Sequence, residues 1–202
     1  MSFHPAMPYG TPAWHKSERK LADEGPPFAF TAENRARLEE IASHYPPDRR
    51  VSAVLPALYL VQEQQGYVSA HAMEHVAEVI GCSRAHVEDV VSYYVMFFTK
   101  PVGKYVLQVC RTLSCALHGA ERVTERLAAR LGIAPGETDA AGEFTLMEME
   151  CLGACDRAPV IMVNNEYWHE CQRPEDVDAL VDGLRAKGLA ALSGCHHKKE
   201  RE

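Results

Sequence analysis

The sequence predicts an α+β protein, α/β in character in its second half. A bundle of short helices comes first, and a small domain on a four-stranded mixed sheet follows. Three observations predict this. From Thr31 to Tyr94, apolar residues recur at helical spacing, punctuated by Pro46-Pro47, Gly66 and Gly81. After Lys100 the period shortens to runs rich in β-branched residues. Two cysteine pairs, Cys110/Cys115 and Cys151/Cys155, then sit where such runs end.

Residues 1–28 hold five prolines and two glycines and show little periodicity. They read as an extended arm that is disordered or that orders on a partner. Residues 29–99 read as four helices. Thr31 caps the first, Leu38, Ile41, Ala42 and Tyr45 form its apolar face, and Pro46-Pro47 ends it. The second carries Val54, Leu58 and Val61 and closes at Gly66. Its Pro56 is tolerable only in the first turn, so the helix is expected to begin near Ser52. Ser69 opens the third, with Ala72, Val76, Val79 and Ile80, and Gly81 stops it. Ser83 caps the fourth, with Val87, Val90, Val91 and Tyr94 inward.

Residues 100–190 read as the second domain. Tyr105 to Val109 is a strand ending at Cys110. Cys115 to Leu131 is expected as one helix, with Ala116, Ala120, Val123, Leu127 and Leu131 as its stripe and Gly132 as its stop. Strands follow at Phe144 to Met149 and Pro159 to Val163. Asn164-Asn165 turns into a fourth at Glu166 to His169, and Pro174 opens a last helix. The order βαβ-ββα is the thioredoxin-like layout. Residues 191–202 read as a flexible tail.

Bulk properties narrow the function. The 202 residues are 47% hydrophobic and 24% charged, ordinary for a soluble protein. Apolar runs such as Val54 to Val61 are too short to span a bilayer, and the N-terminus lacks a signal or transit pattern. The expected location is the cytoplasm, where paired cysteines are metal or redox sites rather than disulfides. A net charge of −7 argues against a nucleic-acid partner, as do Glu88 and Asp89 beside Arg84 on the fourth helix. No G-x-G-x-x-G or P-loop is present, so the chain is not expected to bind NAD or a nucleotide by itself.

The cysteines carry the chemistry. Four residues separate the first pair, three separate the second, and 35 lie between the pairs. Four thiolates hold either Zn²⁺ or an iron–sulfur cluster. Cys115 at a helix N-terminus would be favoured as thiolate, and Gly153 would let backbone approach a ligand. A [2Fe–2S] centre of this kind carries a charge of about −2 oxidised and −3 reduced, so it needs donors. Glu148, Glu150 and Asp156 would oppose its reduction and Arg111 and Arg157 would favour it. Zinc knuckles more often use C-x2-C, which leaves structural zinc as the competing reading, and a thiol–disulfide enzyme is weaker because C-x-x-C is absent. Cys82, Cys171 and Cys195 lack a paired partner: Cys82 reads as packing, Cys171 as a structural thiol, and Cys195-His196-His197 as part of a solvated tail rather than a site for a stray metal. His118, one turn past Cys115, reads as a helix-face residue rather than a ligand.

These motifs resemble a known family. Ser92-Tyr-Tyr-Val-Met-Phe-Phe, Lys100-Pro-Val-Gly-Lys-Tyr leading to Cys110, Glu150-Cys-Leu-Gly-Ala-Cys155, Ala158-Pro-Val and Val163-Asn-Asn-Glu-Tyr-Trp are similar to the small, 24-kilodalton-type [2Fe–2S] subunit of respiratory complex I. The match runs from about Thr31 to Leu184. The resemblance implies one binuclear cluster, with Cys110, Cys115, Cys151 and Cys155 on the ligand positions. It also implies a partner flavoprotein that binds FMN and NADH, other peripheral-arm subunits, and a place peripheral to the membrane through the complex. Related subunits serve NAD-linked hydrogenases and formate dehydrogenases, and the motifs do not separate these hosts. The segment His169 to Pro174 departs from the family pattern.

The expected role is therefore electron transfer within an NADH:quinone oxidoreductase, with no NADH oxidation by the isolated chain. A zinc-stabilised interaction module is the rival of another class.

Overall fold

The computed structural model describes residues 24–192. The chain divides into two compact units, one ending at Pro101 and the next beginning at Val102. Residues 1–23 of the arm expected over 1–28, disordered or ordering on a partner, and the tail from 193, with Cys195, lie outside the described residues.

The first unit is helical: α1 (Ala32–Ser43), α2 (Val54–Gln65), α3 (Ala70–Ile80) and α4 (Arg84–Tyr93). The Thr31, Ser69 and Ser83 hydroxyls each accept a first-turn N–H, from Asn34, Ala72 and His86. α1 stops at Ser43, short of the prolines, and Pro47 opens a 3-10 turn (Pro47–Ala53), its fixed φ suiting a first helical position. That turn delays α2 to Val54, two residues past Ser52, and Pro56 still falls in its first turn. Gly66 and Gly81 end α2 and α3 in left-handed conformation. Leu38, Leu58, Val61, Val76 and Val87 are fully buried in the core. The described end of the arm lies on this unit. The Phe30 N–H donates to His75 Nε2 at 3.3 Å, and the Gly25 carbonyl meets His71 Nδ1 at 3.0 Å.

The second unit is the thioredoxin-like one that the strand order predicts. Its sheet runs β2-β1-β3-β4, from β1 (Tyr105–Cys110), β2 (Phe144–Met149), β3 (Ile161–Val163) and β4 (Tyr167–His169). β1 and β2 are parallel; β1–β3 and β3–β4 are antiparallel. All six residues of β1 are buried, as a central strand covered on both faces requires. Helix α6 (Ala120–Leu131) makes the crossover, and α7 (Val177–Lys187) packs beside it. Asn164 and Asn165 take φ of 55° and 59°, the two left-handed residues of a hairpin turn. β3 starts at Ile161 rather than Pro159, because proline has no N–H for the ladder. A 3-10 helix (Gly188–Leu192) follows α7 and buries Leu192 in the same core.

One element differs from expectation in a way that matters for the site. The single helix expected over Cys115 to Leu131 is two: α5 (Leu113–Leu117) and α6, separated at Gly119 with φ of 89°. The break lets α5 turn Cys115 inward while α6 aims Ala120, Val123 and Leu127 at the sheet. Cys115 is thus the third residue of a five-residue helix, in its first turn as expected, and Ala116 is exposed rather than part of the stripe.

Candidate metal centre

Parallel pairing fixes where the cysteines go. β1 and β2 run in register with Cys110 opposite Met149, so both strands deliver their carboxyl ends to one edge. The Arg111 N–H bonds the Met149 carbonyl at 3.0 Å just past that edge. Cys110 closes β1, Cys115 sits five residues on, and the loop Cys151 to Cys155 leaves β2 beside them. The first pair is buried, at 2% exposure each, and the second is exposed.

The thiols stand as two pairs. Cys151 Sγ and Cys155 Sγ lie 3.6 Å apart. Cys110 and Cys115 are near enough for each thiol to shift the other. Two thiolates at about 2.3 Å from one tetrahedral metal stand roughly 3.8 Å apart, so the measured separation fits a shared metal. Among the described residues, no three His, Cys, Asp or Glu side chains converge on a single point. The two pairs are near enough to feel each other's charge, Cys110 acting on both Cys151 and Cys155.

Backbone and hydroxyl donors surround the sulfurs. Gly153 N–H points at Cys151 Sγ at 3.4 Å, and Thr112 Oγ1 lies 3.3 Å from Cys110 Sγ. Burial pushes the Cys110 thiol up, but the Thr112 hydroxyl and N–H, the Leu152 N–H and the Cys115 thiol outweigh it and hold Cys110 below the ordinary thiol range. Cys115 is pushed up to about 11, first by burial and then by its bond with Cys110, against the Val160 N–H. In the outer pair the Gly153 N–H, with the Cys155 thiol and the Thr112 hydroxyl, lowers Cys151. Cys155 is raised by its bond to Cys151 and by the negative charge there. In each pair one sulfur is thus lowered and the other raised. A metal bound there would meet sulfurs already supplied with donors.

The glycine between the outer cysteines acts through its backbone. Gly153 has φ of 79°, and a Cβ there would meet no protein atom within 4 Å. Its conformation aims the N–H at sulfur, which is the requirement glycine meets. The loop is tied from β4, where Trp168 Nε1 donates to the Leu152 carbonyl at 3.0 Å. Two further bonds, Cys171 N–H to Arg157 O and Gln172 N–H to Pro159 O, anchor the rest of it.

The remaining sequence candidates fall away from the centre. His118 is exposed, with Nδ1 on the Ser114 carbonyl at 2.7 Å, in keeping with a helix-face role. Cys82 is half-buried in the helical unit. Cys171 is exposed with φ of 52° and donates its N–H to Arg157. Sequence reasoning missed Thr112, Trp168 and the N–H groups of Leu152 and Val160. Thr112 was visible as the hydroxyl residue between the first two cysteines; the others depend on long-range folding.

The comparisons with known proteins agree with this architecture. NADH-quinone oxidoreductase subunit 2 of Thermus thermophilus is 44% identical over 159 residues, 79% of this chain and 88% of that one. The mitochondrial NADH dehydrogenase [ubiquinone] flavoprotein 2 of Dictyostelium discoideum is 35% identical over 181 residues, 89% of this chain and 73% of that one. In shape, the NAD+-reducing [NiFe]-hydrogenase in its H2-reduced state superposes with a TM-score of 0.57 at 20% identity, over 66% of this chain and 22% of that one. That likeness concerns the fold. A sequence model of the thioredoxin-like [2Fe–2S] ferredoxins matches residues 38–185, taking in both cysteine pairs and the sheet edge that joins them. On that match and those relatives, the chain belongs to the thioredoxin-like [2Fe–2S] ferredoxin family.

Proposed function

We propose that this chain is the [2Fe–2S] subunit of the NADH dehydrogenase module of an NADH:quinone oxidoreductase, and that Cys110, Cys115, Cys151 and Cys155 hold its one cluster. The observation that carries the ligand assignment is the two-pair arrangement: exposed sulfurs 3.6 Å apart in the outer pair with the Gly153 N–H pointing at one of them, and a buried inner pair whose thiols act on each other. Two pairs of thiols suit a binuclear centre, which the four cysteines would hold together, whereas a lone zinc requires all four sulfurs around one point.

The cluster supplies one-electron exchange. The chain's own residues bind and tune it. Cys110 and Cys115 grip from the buried side, and Cys151 and Cys155 from the open side. The N–H groups of Thr112, Leu152, Gly153 and Val160 offset negative charge on sulfur. The open side is where electrons would pass to a partner, which we take to be a flavoprotein that binds FMN and NADH. With no nucleotide-binding motif of its own, the chain depends on that partner for NADH oxidation. Among the described residues no helix is long and apolar enough to cross a membrane. A place on the membrane would therefore come through the complex.

Expression of the chain with its cluster gives the test. The protein is expected to be red-brown and to become paramagnetic on reduction. Cys151→Ser is expected to lose the colour, and the companion flavoprotein to co-purify. A colourless protein holding one zinc per chain would overturn the reading.

A further inference from the structure

Charged residues flank the two cysteine clamps. Arg111 directly follows Cys110, and Glu150 directly precedes Cys151. The Arg111 guanidinium donates to Glu150 Oε1 at 2.8 Å and lies 3.9 Å from Glu148 Oε2. On the outer loop Arg157 lies 3.6 Å from Asp156 and 4.0 Å from Glu170. Four carboxylates thus face two guanidinium groups on and near the segments that carry the cysteines, and the Arg111 pairs are the ones that join one clamp to the other.

We propose that Arg111 is a positioning residue that sets the reduction potential: it latches the clamps through Glu150 and balances the charge of Glu148 and Glu150 beside the cluster. The inference rests on the ligand set proposed above. Reduction adds a negative charge to a centre that is already anionic. A nearby guanidinium favours that step and a nearby carboxylate opposes it. Without Arg111, two carboxylates would face the cluster unbalanced, and reduction would become harder. The side chains are partly open, at 42% for Arg111, 36% for Glu148 and 67% for Glu150, so salt screens the effect without abolishing it.

The test is a redox titration of the full chain with its cluster, followed by visible absorbance and by the paramagnetic signal, with iron content measured alongside. Arg111→Gln is expected to shift the midpoint potential down and Glu150→Gln to shift it up. Arg111→Lys is expected to stay near the parent. The triple variant Arg111→Gln, Glu148→Gln, Glu150→Gln is expected to move back toward the parent from Arg111→Gln. In about 1 M salt the Arg111→Gln shift is expected to shrink. An Arg111→Gln protein with a full cluster and an unmoved or raised potential would overturn the proposal. If Arg111→Gln fails to keep its cluster, Glu148→Gln and Glu150→Gln decide the matter, and unmoved potentials in both would overturn it. A parent protein with no [2Fe–2S] signal would instead overturn the ligand set, which keeps the two failures apart.

Discussion

The indole N–H of Trp168 donates to the Leu152 carbonyl at 3.0 Å, tying the last strand of the sheet to the middle of the outer cysteine loop. The bond spans 16 residues and fixes the peptide whose N–H, that of Gly153, points at Cys151; the Leu152 N–H of the preceding peptide bears on Cys110. Trp168→Phe keeps an aromatic ring and removes the donor. It is expected to cost about 1 kcal/mol, the net value of one such bond. Iron release to a chelator is expected to speed up severalfold. Unchanged release kinetics would show that other contacts hold the loop.

That relationship was not legible in the sequence, and the reason is physical. Spacing within each cysteine pair is local, so periodicity and turn residues suffice to place the clamps at strand ends. Trp168 and Leu152 meet only because β3 and β4 fold back along β1. The Gly119 break was hidden for another reason. Ala116, Ala120, Val123, Leu127 and Leu131 keep helical spacing across it, and an isolated glycine inside such a pattern is compatible with a continuous helix. Burial of Cys115, which depends on how α5 turns, pushes that thiol up, and spacing along the chain does not reveal burial.

Half-buried Asn165 partners a buried glutamine, and its loss is expected to be costly. Gln108 is fully buried in the central strand, and its Nε2 donates to Asn165 Oδ1 at 2.7 Å while its Oε1 accepts from the Asn165 N–H at 3.0 Å. Asn165→Ala removes the acceptor and places alanine at a positive φ. The stranded amide alone is expected to cost about 1–3 kcal/mol, read as a lower urea midpoint. Asn165→Ala with Gln108→Leu is expected to recover part of that loss. Equal midpoints for the two variants would show that the amide was not the cause.

The unpaired cysteines are expected to be silent in the cluster spectrum. Cys82 lies in the helical unit, and Cys171 is exposed beyond β4 with its N–H on Arg157. Cys82→Ala and Cys171→Ala are each expected to leave the visible absorbance per chain unchanged. Bleaching in either variant would place a ligand outside the four proposed.

His169 gives stability a pH dependence in the mildly acidic range. Burial holds its imidazole below the ordinary value of about 6.5, against the opposing charge of Asp176. The unfolded chain therefore takes up a proton at His169 more readily than the folded one. Stability is full above pH of about 6.5 and falls as pH drops from there through the lower folded value, because protons are drawn to the unfolded state. His169→Gln removes that proton site. Its denaturant midpoint is expected to change less between neutral pH and pH of about 5 than that of the parent. Parallel curves for the two proteins would show that burial at β4 does not couple to folding in this way.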